Sequence, residues 1–361
     1  HKAGCQKLKI SLGHPATGLT CSATFRVMTA LTVEGINEAT SGITKPRHTR
    51  ENRLVCCIPG SRRHKEIYLG AQKLATSFDE VSGTEVKIEG ETFYKIANYD
   101  AMRPFFMSIV SNSNHWMFLS STGGLTAGRK NSNFALFPYY TDDKITESSE
   151  TTGSKTLCLV TRSDQTSLWE PFSSKYEGVY NISRNLYKNS YGNKVKFEEV
   201  NHDLGLTFSY EWNSSDKFGF VRKSALINNS SAGVSVQFID GLQNLLPYGV
   251  EDALQNASSN LVDAYKKCEL EASVGLGLFS LSAIIVDKAE PSEALRSNVA
   301  WSLGRPNATK LLSSKQLNAF RKGEWPTQEV DIKAERGAYM ICDTVDLDAG
   351  ASEHWSILAD V

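Results

Sequence analysis

Apolar and polar positions alternate most regularly in the middle of this chain. Leu204, Leu206, Phe208 and Tyr210 share one face of a run ending at Trp212, the two-residue period of a strand with one buried side. Short runs of the same kind surround it. Arg184–Lys188 leads through Tyr191-Gly192-Asn193 to Val195–Glu198, and Asn213–Asp216 turns into Phe218–Ile227. Asn228–Ser231 then separates that run from Val234–Phe238. Strands so closely spaced pair antiparallel, because a parallel crossover needs a dozen or more connecting residues. The spacing predicts a meander. Further strands are expected at His115–Leu119, Thr156–Val160, Ala338–Cys342 and His354–Leu358, and within the apolar stretch Val274–Val286.

Helical periodicity is confined to two places. Asp252–Lys267 sets Leu254, Leu261 and Tyr265 at three- and four-residue spacings, as an amphipathic helix does. Ser313–Lys322 is a second candidate, with Ser313 as its cap. So many strands have two faces to bury, and sheet-on-sheet packing buries both. The expected fold is mainly β: a large antiparallel β-sandwich (a super-sandwich) with a few short helices.

Composition divides this picture in two. The 361 residues exceed the roughly 250–300 at which single cores stop growing, so one very large domain or two smaller ones are expected. The net charge of −1 gives no general attraction to nucleic acid or anionic membrane. Residues 1–80, however, carry twelve Lys and Arg against six Asp and Glu, and four of the seven cysteines. Residues 1–84 are therefore expected to form a poorly defined basic extension, and residues 85–361 the sandwich. The Cys56-Cys57 pair, flanked by His48 and His64, lacks a C-x-x-C spacing, so reduced cysteines and no metal are expected. No apolar run reaches the roughly 18 residues of a membrane span. No apolar signal core follows His1, and a cytoplasmic location is expected.

Chemistry is sparse. No G-x-x-x-x-G-K, H-E-x-x-H or G-x-S-x-G motif occurs. Gly123-Gly124-Leu125-Thr126-Ala127-Gly128-Arg129 follows a strand and has two readings. It is a hairpin whose glycines supply positive φ, or a loop shaped for close approach of a ligand, with Arg129 binding an anion or hydroxyl. Asp142-Asp143, after Phe137-Pro138-Tyr139-Tyr140, is the conspicuous acidic pair. Glycosidic cleavage uses one carboxylic acid to protonate the leaving oxygen and usually a second across the sugar. Neighbours on a strand point to opposite faces, so this pair cannot flank one bond; solvated loop carboxylates are the plainer reading. Tyr139, Tyr140 and Trp169 lie in turn-rich segments where an aromatic face could meet a ligand, whereas Trp212 and Trp355 are assigned to packing.

Several longer strings resemble a family. Phe93–Tyr99, Phe105–Ser111, Ser120–Arg129 and Asn133–Lys144, with Asp240–Gly249 and Ser259–Tyr265, are similar to the N-terminal region of the cellobiose phosphorylases (glycoside hydrolase family 94 and neighbours). The likeness covers roughly residues 85–361. It implies an N-terminal super-sandwich, then linker helices, then an (α/α)6 barrel. In such enzymes an aspartic acid on the barrel protonates the glycosidic oxygen while inorganic phosphate attacks with inversion. Here Ile357–Val361 reads as the last strand of the sandwich, so no catalytic residue carries over and the chain alone is expected to be inactive. The resemblance implies an oligosaccharide partner, homodimerisation of the full-length form, and no cofactor beyond phosphate as co-substrate. By that likeness Gly123, Gly124 and Arg129 of the glycine loop and Asp142 are substrate-binding candidates, and Tyr139 and Tyr140 join them for their aromatic faces. A free-standing carbohydrate-binding or structural module is the alternative.

Overall fold

The computed structural model describes residues 66–75, 80–285 and 294–361, together with the backbone of two earlier strands. The chain divides into two compact units, His1–His64 and Lys65–Val361. In the first, β1 (Lys9–Gly13) and β2 (Thr20–Thr24) pair antiparallel. The expectations placed on Cys56, Cys57, His48 and His64 lie outside the described residues.

The second unit opens with a minimal hairpin, β3 (Tyr68–Leu69) and β4 (Gln72–Lys73). Next come β5 (Ser82–Ile88) and β6 (Glu91–Ala97); the boundary expected between residues 84 and 85 falls inside β5. β7 (Phe106–Ile109), β8 (His115–Ser120), β9 (Leu125–Arg129) and β10 (Ala135–Phe137) form a separate four-stranded meander. After the short helix α1 (Asp142–Glu147) come β11 (Gly153–Arg162) and β12 (Gln165–Trp169). The meander read from the sequence follows: β13 (Ile182–Asn189), β14 (Val195–Asn201), β15 (Leu206–Ser215) and β16 (Gly219–Asn228). β17 (Val234–Leu245) was expected to continue it but crosses to the opposite sheet, pairing with β11. The helix α2 (Asp252–Tyr265) hands over directly to β18 (Lys266–Glu271), then β19 (Leu276–Leu281) and β20 (Asn298–Leu303). β21 (Thr309–Leu311), the one-turn helix α3 (Leu317–Phe320), β22 (Asp331–Lys333), β23 (Gly337–Leu347) and β24 (Ser352–Asp360) complete the chain.

The protein is mainly β, as the alternation requires. An eleven-stranded sheet runs in the order β22-β18-β19-β20-β24-β16-β15-β14-β13-β6-β5, and a five-stranded sheet in the order β12-β11-β17-β23-β21. The longest pairings are all antiparallel. One core joins the large sheet to both smaller ones: Trp355, packed on Phe208, stacks on Phe238 of the five-stranded sheet, and Trp212 meets Phe137 of the meander. The reason is period-two alternation. On β15 Leu206, Phe208, Tyr210 and Trp212 all point inward and are buried. On the five-stranded sheet both faces are buried: Cys158, Val160 and Phe238 belong to this core, while Leu157, Leu159 and Ile239 pack beneath α3 in a second cluster.

Two inward positions break the apolar pattern. Arg222 on β16 and Asp240 on β17 are fully buried and face each other across the sandwich. Asp240 accepts from Arg222 Nη1 at 2.7 Å and Nη2 at 2.9 Å, from Thr156 Oγ1 and Trp355 Nε1 at 2.6 Å each, and from Ser224 Oγ at 3.0 Å. The guanidinium also lies 4.7 Å over the Tyr210 ring and donates to Ser154 Oγ at 2.9 Å. A buried charge survives only when paired and fully hydrogen-bonded, and here both are.

One local expectation fails and another is narrowed. Ser313 does not cap a helix over 313–322; it is buried, and its hydroxyl donates to Glu329 at 3.0 Å. Its oxygen also accepts from Lys315 N at 3.3 Å, but the helix that follows is confined to Leu317–Phe320. The apolar run Val274–Val286 holds a strand of only six residues, because Gly275 turns the chain with φ +68°. Among the described residues no helix is long and apolar enough to cross a membrane, and no cluster of three or more His, Cys, Asp or Glu could hold a metal.

Candidate functional site

β11 divides its side chains between the sealed core and an open basin. Ser154 and Thr156 face inward to Arg222, so Lys155, one residue between them, faces outward. There it lines a cavity of about 450 Å³ with Glu150, Lys175, Gln243, Asn244, Asp263, Lys315, Asn318, Arg321, Glu335 and Arg336 among its walls. Lys155 Nζ lies 2.7 Å from Glu150 and 3.1 Å from Glu170. Glu170 in turn holds Arg321 through both oxygens, with Nη2 donating at 2.9 Å. Arg321 Nη1 donates to Asn318 at 2.6 Å, Arg336 reaches Asp263 at 3.2 Å, and Lys315 reaches Glu335 at 3.1 Å.

Local backbone irregularities aim these groups. A bulge between Gln243 and Leu245 leaves Asn244 at φ 60°, a left-handed conformation that Asn tolerates. Its Nδ2 donates to Thr152 Oγ1 at 2.8 Å, and Gln243 Nε2 donates to the Glu150 carbonyl at 2.9 Å. Beyond Pro171, Phe172 holds a positive φ of 64°, an uncommon conformation for an aromatic residue. Its N–H donates to Glu199 at 2.7 Å and its ring packs on Phe197 and Tyr210. These contacts fix the turn that presents Ser173 and Ser174 to Glu150, each donating at 2.9 Å.

The acids in and beside the basin are held as carboxylates. Burial alone would raise the Glu150 carboxyl, but Lys155 and the Ser174 and Ser173 donors outweigh it and hold the group at about 2. Glu170 is likewise lowered against its burial by Arg321 and Lys155, and Asp263 by Lys266 and Arg336. At neutral pH these groups accept hydrogen bonds and cannot donate a proton to a leaving oxygen. Five basic and three acidic residues line the cavity, so positive charge is in excess even after Glu170 is counted.

The residues singled out by sequence fall in several places. Gly123, at φ +92°, makes the β8–β9 hairpin turn, and a Cβ there would stand 3.2 Å from the Tyr210 hydroxyl. Gly124 admits α1: its Cβ would lie 1.9 Å from the Ile145 carbonyl. The glycine string is thus a hairpin, and Gly123 also borders a small chamber of 20 Å³ shared with Glu150 and Lys155. Arg129 is engaged bidentately by Asp360, at 2.6 and 2.7 Å, and by Asn114 at 3.0 Å. Its reach is structural. Tyr139 sets a ring edge against Trp116 at 5.7 Å, whereas Tyr140 lines an open cleft beside α1. Asp142 begins α1 and its side chain lies outside the described residues; Asp143 Oδ1 accepts from Lys144 N at 2.9 Å. Trp169 is buried, its Nε1 donating to Glu199 at 2.7 Å, and offers no open face.

Sequence reasoning missed Glu150, Lys155, Asn318, Arg321 and Arg336. The available signal was Lys155 itself, a charge set into the strand run that was read from Thr156 onward.

The class these features define is a mainly β, antiparallel sandwich with a polar basin beside β11 and the end of β17 in its five-stranded sheet. No family model matches the chain and no curated protein matches it, so the likeness to the cellobiose phosphorylases extends no further than the strings quoted above. Solved structures that resemble it include a polysaccharide lyase, at 12% identity and a TM-score of 0.37, over 72% of this chain and 32% of that one. A galactose mutarotase-like protein from Lactobacillus casei aligns at 10% identity and a TM-score of 0.37, over 71% of this chain and 99% of that one. A 4-alpha-glucanotransferase from Thermococcus litoralis aligns at 9% identity and a TM-score of 0.28, over 78% and 40%. The chain thus spans about a third of the lyase and two fifths of the glucanotransferase. Likenesses of this depth leave the function to the geometry of the site.

Proposed function

We propose that this sandwich binds an oligosaccharide in the basin beside β11 without cleaving it. The observation that carries the reading is the basin's pairing of charges: carboxylates that stay ionised beside cations, of which the Lys315 and Arg336 side chains are more than half exposed. Sugar hydroxyls donate and accept at once, and such a surface meets both needs. The excess positive charge favours a ligand bearing a carboxylate or phosphate. With Glu150, Glu170 and Asp263 all lowered, none of the three serves as the general acid that glycosidic cleavage requires.

The finer reading rests on the residue strings of the sequence. It makes the chain the sandwich portion of an inverting glycoside phosphorylase, cytoplasmic, homodimeric in its full-length form, and using inorganic phosphate as co-substrate with no other cofactor.

Calorimetric titration with neutral and acidic oligosaccharides tests the proposal, alongside an assay for new reducing ends and sugar phosphates. The expected result is binding near the micromolar range, about −8 kcal/mol. Acidic ligands are expected to bind tighter, weaken with salt and yield no product. Silence across the whole panel, or turnover by this chain, would overturn it.

A further inference from the structure

β5 ends the eleven-stranded sheet with seven residues, Ser82–Ile88. The other sheet-edge strands among the described residues run to five residues or fewer. A long free edge is a template for another strand, and folds guard such edges with proline, bulges or repelling charges. β5 has no proline, and it pairs with β6 from Ser82 to Ile88 without a shift in register. Its edge is unguarded by either device.

The turn between β5 and β6 decides which backbone groups are free. Ile88 pairs with Glu91 across Glu89 and Gly90, which hold φ of 50° and 85°, as the two-residue type I′ hairpin turn requires. The pair flanking such a turn exchanges both hydrogen bonds, and bonded and unbonded positions alternate from there. Ser82, Thr84, Val86 and Ile88 therefore turn their N–H and C=O groups to β6, and Gly83, Glu85 and Lys87 turn theirs outward. The Glu85 carbonyl is met only by the neighbouring Thr84 hydroxyl, at 3.4 Å. Glu85 and Lys87 are also exposed, and among the described residues neither side chain has an ion-pair partner. On the short edge strand β22, Asp331 and Lys333 have the same spacing but satisfy each other at 3.1 Å.

We infer that β5 is an interaction edge that pairs antiparallel with β5 of a second copy of this chain, centred on Val86. The charges select both the partner and the register. Centred there, Glu85 of each copy stands opposite Lys87 of the other, on one face of the joined sheet. Both residues turn their backbone groups outward, so these two pairs also exchange about four backbone hydrogen bonds. Centring the contact on Glu85 or on Lys87 instead sets like charges opposite each other, which is destabilising. The contact is smaller than a standard interface, and a weak, concentration-dependent dimer is the outcome. This edge stands on β5 alone; it gives the homodimer of the phosphorylase reading a surface without depending on that reading.

Sedimentation of the full chain, from low micromolar to near-millimolar concentration, tests the inference. The wild type is expected to pass from monomer to dimer over that range. Glu85→Lys and Lys87→Glu each set two like-charge pairs across the contact, and each alone is expected to weaken it about tenfold or more. Both side chains are exposed, so the melting temperatures of these variants are expected to match the wild type. An equimolar mixture of the two variants is expected to form a mixed dimer, and the chain carrying both changes to recover wild-type association, because opposite charges face each other again. A wild type that stays monomeric throughout would overturn the edge. A dimer that both single variants leave intact would overturn it too, while leaving the homodimeric reading to another surface.

Discussion

Arg222 with Asp240, and Lys155 with Glu150, Glu170 and Arg321, are both ion-paired networks and both draw on residues of β11. Ser154 and Thr156 of β11 serve the first network, and Lys155 between them serves the second. What separates them is access. Asp240 has five donors and no solvent, so its pairing can only hold the two sheets in register. In the basin, the Arg336 and Lys315 side chains are each more than half exposed and keep N–H groups for a ligand. By turning Ser154 and Thr156 inward and Lys155 outward, β11 serves the buried staple and the open basin from consecutive residues.

The largest effect is expected where the seal is broken. Asp240→Ala leaves the Arg222 guanidinium buried without its counter-ion, and a loss of roughly 3–5 kcal/mol is expected by chemical denaturation. Replacing both members with apolar residues of similar volume should cost less than the single change. A loss under about 1 kcal/mol for Asp240→Ala would mean that the core pair is solvated.

Next comes Glu150, whose folded pKa of about 2 lies below its ordinary 4.5. Its stabilisation is therefore complete above about 4.5 and fades as the pH falls toward about 2. Glu150→Gln is expected to lower stability by roughly 2–3 kcal/mol at neutral pH and to flatten the acid limb of a stability-against-pH curve. An unchanged acid limb would place Lys155 in the service of Glu170 alone.

A smaller change follows at Gly124, where an added Cβ would meet the Ile145 carbonyl at 1.9 Å. Gly124→Ala is expected to push α1 away at a cost of about 1–3 kcal/mol, measurable by thermal denaturation. The smallest effect on stability belongs to Arg336→Ala, expected within about 0.5 kcal/mol while affinity for an acidic oligosaccharide falls several-fold. Equal damage to stability and binding would erase the contrast between staple and site.

Much of this fold could be read from alternation because the β13–β16 meander sends its large apolar residues to one face. Leu206, Phe208, Tyr210 and Trp212 declare that face in the sequence itself. The passage of β17 to the opposite sheet could not be read, since the Asn228–Gly233 turn looks the same whether the next strand stays or crosses. Arg222 and Asp240 were likewise invisible as a pair: 18 residues separate them in sequence, and only the stacking of sheets brings them together. The candidate site was legible in part. Tyr140 lines a cleft, but Arg129 and Trp169 spend their polar groups on Asp360 and Glu199. The basin's own residues come from six separated stretches, from Glu150 to Arg336, and no local pattern announces such convergence.

Hydrogen–deuterium exchange with and without a saturating acidic oligosaccharide would place the ligand most directly. Protection is expected at residues 150–155, 243–244, 314–321 and 334–336, with β13–β16 unchanged. Protection confined to other segments, or none at all despite measured binding, would contradict the assignment of the basin.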